Sequence, residues 1–562
     1  MRSWQLSKAM VWRWAATGLL LTLLLGCQES DQGTATQSLD PGAIQVQTAP
    51  LLATAAACTN RFAARTLNHM TGMAVARIGF FYSNGAGMAV NDLDNDGDND
   101  LVLGNLLGPN HIFWNEGNWQ FRQAVLFEGS TRGLVAIDVD ADGWRDIFVA
   151  TRSGDMRYWH NLGDGQFEEQ RLPGLDGYAY SFDWADLDGD GDLDLVASSY
   201  DASLEKQNPL FREGDRAGVS VYVQEAGQFS RTRLIDEAQA LTTNLVDLNG
   251  DGKLDILVGN DFDVPDYVWL NGDDGWQKTD LFATTTMSTM SIALGDVDNN
   301  GRTELFAADM HPYSDAPEIM SQWEPAMANM MMHEMAEDDP QQMANVLQVW
   351  DAEGQVVNTA VEHGISATGW SWSSQFGDLD QDGFLDLYVV NGMQALDNFS
   401  HLPNDELIEE NQVYHNDGQG QFVSMPDWGL NSRSGGRSMV MADMDGDGDL
   451  DIVVNNLQDP AQMFENQLCE GESLLVELSQ PGSANTNAIG ATLILRSEAG
   501  TYRRIVQATS GYLSGNTAQV HFGFPDGTVL ESLQVIWPDG QTSQVRDVQA
   551  GQLLKIERGP GS

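Results

Sequence analysis

Short apolar runs, each entered through an acidic turn, recur along most of the chain. Leu101-Val102-Leu103, Leu195-Val196, Ile256-Leu257-Val258 and Ile452-Val453-Val454 all follow directly on a string of aspartates. Runs this short, rich in β-branched residues and bounded by Gly and Asp, read as buried strands rather than helices. Ahead of each turn lies a segment of small or polar residues, such as 83–87, Tyr180-Ser181, Thr242-Thr243, 288–291, 370–373 and 434–436. After each apolar run comes an aromatic strand that usually ends on Asn, as at Asn115, Asn161, Asn271 and Asn416. A Gly-rich turn then leads to a fourth strand opening on Gln120-Phe121, Gln166-Phe167, Gln228-Phe229 or Gln421-Phe422. The pattern predicts four antiparallel strands per repeat, with the small-residue strand at a crowded central axis.

The turns carry the candidate chemistry. The first reads Asp92, Asp94, Asp96, Gly97, Asp98, Asp100. Carboxylates at its first, third, fifth and ninth positions converge if the backbone wraps tightly. Gly at the sixth permits that wrap, and the seventh residue offers its carbonyl. Ca²⁺ takes six to eight such hard oxygens. An EF-hand would need a bidentate Glu at position twelve, where this chain has Leu103. The second and third turns are Asp138/Asp140/Asp142/Gly143/Trp144/Asp146 and Asp186/Asp188/Asp190/Gly191/Asp192/Asp194. The fourth and fifth are Asp247/Asn249/Asp251/Gly252/Lys253/Asp255 and Asp296/Asp298/Asn300/Gly301/Arg302/Glu304. The sixth and seventh are Asp378/Asp380/Asp382/Gly383/Phe384/Asp386 and Asp443/Asp445/Asp447/Gly448/Asp449/Asp451. Successive first aspartates lie 46, 48, 61, 49, 82 and 65 residues apart, the period of propeller blades with insertions. The expectation is an all-β chain whose residues 58–468 form a seven-bladed β-propeller with up to seven Ca²⁺.

The last repeat lacks its fourth strand. Residues 60–67 resemble 227–234, so an N-terminal strand is expected to complete the final blade and remove the exposed edges of an open array. Cys469 follows Asn466 by three residues and Cys58 precedes Phe62 by four, so both sit where the missing turn would be. A Cys58–Cys469 disulfide is expected there. From about Cys469 the repeats stop, and six short strands over 469–562 predict a separate small β-sandwich.

The repeats resemble FG-GAP/VCBS propeller repeats, best known from integrin α subunits. The run 487–491, with Gly511-Tyr512-Leu513-Ser514, His521-Phe522-Gly523 and Trp537-Pro538-Asp539-Gly540, resembles the ASPIC/UnbV domain. Their pairing, with Thr368-Gly369-Trp370-Ser371-Trp372 in the sixth repeat, resembles the bacterial cartilage acidic protein-like family. The resemblance implies calcium-stabilised propellers associated with extracellular binding. Asn300 and Glu304 depart from the usual Asp, which puts the occupancy of the fifth turn in question.

Composition narrows the partners. Net charge is −54, which repels nucleic acid and anionic lipid headgroups. Residues 1–27 read as a lipoprotein-type signal: basic Arg2, Lys8 and Arg13, an apolar core too short to span a bilayer, and Leu24-Leu25-Gly26-Cys27. Lipidation at Cys27 would make the lipid anchor the sole tie to a membrane, on a bacterial envelope or surface protein. Residues 28–57 read as a flexible linker.

The long insertion 310–345 is rich in Met, with Trp323, Met327, Met331 and Met335 along one helical face. Packing on the propeller is the plain reading, and a Cu(I) site assisted by His333 the sharper one. No Gly-x-Ser-x-Gly elbow, phosphate-cradling loop or zincin pair is present. These features point to an extracellular recognition or adhesion module for carbohydrate, protein or matrix, without catalysis. A calcium-dependent polysaccharide lyase or hydrolase is the alternative. The long connections 199–220, 309–345 and 391–412 are expected on the face opposite the turns, where a ligand would bind.

Overall fold

Small residues do line the axis. In the computed structural model, which describes residues 44–52, 58–72, 77–211, 214–330 and 339–559, the first strand of each repeat packs against the first strand of the next. These strands are Met88–Asn91, Thr131–Ile137, Ser181–Ala185, Ala240–Val246, Ser291–Gly295, Gly369–Gly377 and Gly436–Ala442. The seventh returns to the first, so among the described residues seven antiparallel sheets form a closed ring. Crowding explains the composition: a Cβ on Gly87 would lie 2.0 Å from the carbonyl oxygen of Leu513.

The ring closes as the sequence predicts. Ala63–Thr66 pairs antiparallel with Gln462–Glu465 and supplies the fourth strand of the last sheet. Cys58 and Cys469 are disulfide-bonded, with Cα atoms 5.5 Å apart and a sequence separation of 411.

The C-terminal residues supply seven of the eight strands of two four-stranded sheets, and two features differ from a separate sandwich behind a flexible linker. Ile44–Pro50, inside the expected linker, pairs antiparallel with Gln552–Arg558 over its whole length. The apolar contribution is small: Ile44 is buried and Val46 half-buried on the sandwich core, while the Gln and Thr side chains are exposed, so two apolar positions are the segment's whole signature. Residues 509–515 leave the sandwich altogether. Ser514-Gly515 runs parallel to Met88-Ala89 at the axis, and Gly511 bridges to Ile292. One apolar cluster accordingly joins Leu474 and Trp537 of the sandwich to Trp184 and Leu195 of the ring.

The Met-rich insertion begins with Met310-His311, which extends the sixth sheet, and continues as the helix Pro317–Met330. Trp323 is fully buried and its Nε1 donates to Glu409 Oε1 at 3.0 Å, while Met327 packs on the same core. The helix is a packing element over its described length. Met331, His333 and Met335 lie outside the described residues, as do Cys27 and the signal segment.

Candidate calcium turns and the opposite face

Each acidic turn links the first and second strands of its sheet, and the local backbone explains its composition. The sixth-position glycines have φ between 87° and 101°. The fourth position is left-handed too, at Asn95, Ala141, Gly189, Gly250, Asn299, Gln381 and Gly446. Two such residues in three curl the chain around the carboxylates. The Asn and Gly bias at that fourth position is a signal the acidic pattern had hidden.

The oxygens are held from behind. In the first turn Asp92 accepts from the N–H groups of Asp96 and Gly97 at 3.1 and 3.0 Å. One ligand oxygen each from Asp92, Asp94 and Asp96 falls within a 4.8 Å group, and Asp138/Asp140/Asp142 and Asp186/Asp188/Asp194 do the same. The ninth residue faces inward. Asp100 takes Leu93 N–H on one oxygen and Asn115 N–H on the other, at 3.1 and 2.7 Å. Asp146, Asp194, Asp255, Asp386 and Asp451 repeat that double contact.

The structure narrows the expected ligand set at the seventh position. In every turn the seventh N–H donates to the side-chain oxygen of the fifth residue. Asp98 donates to Asp96, Trp144 to Asp142 and Asp192 to Asp190, at 3.0, 2.9 and 3.0 Å. Lys253 donates to Asp251, Arg302 to Asn300, Phe384 to Asp382 and Asp449 to Asp447, at 2.9, 2.8, 2.8 and 3.2 Å. Four of these seventh side chains carry no oxygen and have other surroundings. A Cβ on Gly163 would lie 3.0 Å from the Trp144 ring, and one on Gly418 2.6 Å from the Phe384 ring. Lys253 Nζ pairs with Asp273 at 2.7 Å, and Arg302 is exposed. Trp144, Lys253, Arg302 and Phe384 can therefore serve a cation through their carbonyls alone. That is why the position tolerates any side chain.

The fourth and seventh turns differ from the first in how their carboxylates are engaged. Asn249 Oδ1 accepts from Asp251 N–H at 2.8 Å, and its Nδ2 donates back to Asp251 Oδ2 at 3.1 Å. Asn249 and Asp251 thus bond each other, and Asp251 Oδ1 also takes the Lys253 N–H. An amide in the third position brings a donor as well as an acceptor, and the donor finds the nearest carboxylate. In the seventh turn Asp447 Oδ1 accepts from Asp449 N–H, while Asp447 N–H reaches Asp445 at 3.4 Å. The charge of Asp447, added to burial, lifts Asp443 to about 7.

Burial makes these carboxylates costly as bare anions. It lifts Asp100 to about 8, Asp146 and Asp194 to about 7, and Asp255 to about 6. Several oxygens also have no partner: Asp94 Oδ1, Asp192 Oδ1, Asp296 Oδ1, Asp380 Oδ1 and Glu304 Oε1 are buried without a hydrogen bond. Converging hard oxygens with unused lone pairs fit a bound Ca²⁺, whose charge would reverse the burial cost. The fifth turn is the weakest match. The amide of Asn300 ties up Asp298 at 2.8 Å, and Glu304 Oε1 lacks the third-strand N–H that its counterparts receive.

Two histidines belong beside the turns, which the acidic pattern alone did not reveal. His160 Nδ1 lies 3.2 Å from both Asp140 and Asp146, and His415 Nδ1 lies 3.1 Å from Asp380 and 3.3 Å from Asp386. Both immediately precede the Asn that ends the aromatic strand, and that shared position was the available signal. The Asn itself has a structural task. Asn161 Nδ2 donates to Leu93 O in the preceding turn at 2.8 Å, while its N–H holds Asp146. Asn115, Asn271, Asn416 and Asn466 make the same link, stringing neighbouring turns together.

The sandwich sits on this turn face. Thr486 Oγ1 donates to Asp138 at 2.9 Å, Arg145 pairs with Glu477 at 3.4 Å, and Arg503 reaches Thr303 Oγ1 at 2.6 Å. Buried Arg504 adds positive charge beside Asp378 and Asp296. Among the described residues the sandwich does not reach over the other face, where the second-to-third connections of the third, fifth and sixth sheets rise. A cavity of about 340 Å³ lies among them, walled by Phe80, Tyr200, Phe262, Trp370, Trp372 and several Met side chains.

Residues 92–140, 138–197, 247–307 and 396–454 match the FG-GAP-like repeat, and these stretches contain six of the seven acidic turns. Residues 481–562 match the ASPIC and UnbV family. No curated protein matches the chain. Among solved structures, the crystal structure of BBS1N in complex with ARL6DN, soaked with mercury, is similar over 69% of this chain and 96% of that chain. Its identity is 10% and its TM-score 0.39. With its ring of sheets and the domain mounted on it, the chain is an FG-GAP-repeat β-propeller carrying an ASPIC/UnbV domain at its C-terminus.

Proposed function

We propose that the protein is an exported, lipid-anchored, calcium-binding propeller that serves as an extracellular recognition or adhesion module. The partnerless buried oxygens of the acidic turns carry the calcium part, because a folded chain leaves such groups unpaired only at a cost. Recognition is assigned to the opposite face, since the sandwich occupies the turn face and the long connections surround an open cavity. Carbohydrate, protein and matrix ligands all suit such a face. The calcium is structural in this reading, and no residue is given a catalytic role.

Three measurements test the proposal. Tb³⁺ luminescence sensitised by nearby Trp should report metal entering the turns and be displaced by Ca²⁺. A glycan and matrix-protein array should give retained ligand without new reducing or unsaturated ends; turnover would replace recognition by glycan cleavage. Labelling with an alkyne fatty acid should mark the wild type and not Cys27→Ser.

A further inference from the structure

The open-face cavity has an unusual balance of groups. Its walls are aromatic and thioether surfaces, yet two buried carboxylates, Asp261 and Asp309, also border it. Asp309 accepts from the N–H groups of Met287, Ser288 and Met310 at 2.9, 3.3 and 2.6 Å. Asp261 accepts from the Tyr200 hydroxyl at 2.6 Å and Phe262 N–H at 2.9 Å. Every one of these contacts donates to the carboxylate, the arrangement that an ionised acid needs. Among the described residues no Lys or Arg lines the cavity. The nearest buried guanidiniums stack behind it, Arg437 on Trp372 and Arg132 on Tyr180, and both donate to backbone carbonyls.

A second observation is independent of the acids. Trp370 is 1% exposed, stands in the cavity wall, and its Nε1–H has no acceptor. A buried indole N–H without a partner costs about 1–3 kcal/mol unless something else fills that place. The cavity therefore offers aromatic faces, two buried carboxyl groups whose pKa values burial raises and which a bound cation would favour in the ionised form, and one vacant donor. Inside the cavity itself, as distinct from the long connections around it, a sugar ring would find few free polar groups, because here they are committed to one another. Gln341 Nε2, for example, is held by the carbonyl of Phe262 at 3.0 Å, and Asn84 Nδ2 by Tyr180 at 2.7 Å.

We propose that this cavity binds a small organic cation that carries an oxygen acceptor, of the amino-alcohol or quaternary-ammonium alcohol class. The cationic head lies against the aromatic faces near Asp261 and Asp309, and the oxygen accepts from Trp370. Cation–π attraction is strongest where the cation is desolvated, as in such a pocket. The inference rests on the recognition reading of the open face and names its ligand class.

Choline and its uncharged isostere 3,3-dimethylbutan-1-ol separate charge from shape. Both are titrated calorimetrically into calcium-loaded protein, whose calcium content is measured separately so that the two readings can fail independently. Choline should bind saturably and about ten-fold or more tighter than the isostere. Trp370→Phe, which keeps the ring and removes the donor, should weaken choline several-fold. Phe262→Ala, at a half-buried position stacked on Phe80 and Tyr200, should do the same, with the melting temperature measured alongside to separate lost binding from lost packing. Phosphatidylcholine vesicles in a sedimentation assay distinguish a lipid headgroup from a free ligand, and capture of either supports the assignment. Equal affinity for choline and the isostere overturns it, as does the absence of saturable choline binding to calcium-loaded protein.

Discussion

The hydroxyl of Tyr512, at the tip of a loop from the C-terminal domain, lies 2.7 Å from the hydroxyl of Tyr180 on the inner wall of the propeller. Tyr512 also donates to Asn84 O at 3.0 Å, and its N–H donates to Ser373 Oγ at 3.1 Å. Its ring is fully buried and packs 5.5 Å from that of Trp372. A domain mounted on the turn face thus reaches through the ring to support two residues, Asn84 and Trp372, that border the cavity on the other face.

That insertion joins the two domains into one folding unit. Tyr512→Ala removes a fully buried aromatic side chain and should cost about 3–5 kcal/mol. Calorimetry should show wild-type propeller and sandwich melting in a single transition, with the variant's transition moved down. Two resolved transitions in the wild type would mean that the loop does not couple them.

The link between neighbouring turns makes a second prediction. Asn161→Ala leaves Leu93 O and Arg145 O without the donor they now share. Two buried acceptors lose a partner, so the loss should be about 2–3 kcal/mol in denaturant unfolding. An exposed control, Gln47→Ala, should change little.

The sequence made the ring legible because its signal is periodic: seven acidic turns, seven apolar runs, and a strand displaced to the front of the chain. Cys58 and Cys469 were readable for the same reason, as interruptions of a known period. Spacing alone could not say how each turn residue is used. The seventh-position set of Trp144, Lys253, Arg302 and Phe384 looks arbitrary until the structure shows the backbone N–H holding the fifth side chain in each turn. The strand Ile44–Pro50 was missed, since its apolar alternation is only two residues long, Ile44 and Val46, and backbone bonds hold the rest. Nor was the insertion of Gly511-Tyr512-Leu513. A tyrosine between glycine and leucine says nothing about which cavity receives it; only the small inner strands hinted that something would. His160 and His415 were hidden by their aromatic neighbours, and the cavity by its assembly from several separate sheets.

Acid should destabilise the protein partly through His69. Burial, with His111 beside it, pushes its pKa down from 6.5 to about 4. His69 Nδ1 lies 2.8 Å from His111 Nδ1, so one ring must donate and the other accept. The unfolded chain binds this proton first. Stability from a neutral His69 is therefore present above pH 6.5 and lost as pH falls toward 4, by at most roughly 3 kcal/mol. His69→Gln should consequently narrow its stability gap to the wild type over that range. A gap constant from pH 7 to 4 would contradict the assignment.

The Cys58–Cys469 bond closes a loop of most of the chain. The loop-entropy relation gives a stabilisation of roughly 6 kcal/mol for such a span. Cys58→Ser with Cys469→Ser should lower the unfolding midpoint accordingly, and the denatured, unreduced wild type should show neither of these two thiols in a titration.

Calcium in the acidic turns is the central claim, and thermal melting with and without chelator tests it most directly. Without the ion, carboxylates such as Asp186, Asp188, Asp190, Asp192 and Asp194 repel at short range, and Asp192 Oδ1 stays buried and unpaired. EDTA should lower the melting temperature by several degrees, and Ca²⁺ in the range of roughly 10⁻⁴ to 10⁻³ M should restore it. Asp190→Ala should shrink that calcium-dependent shift more than Asn300→Ala does. A melting temperature unmoved by EDTA and by millimolar Ca²⁺ would contradict the account.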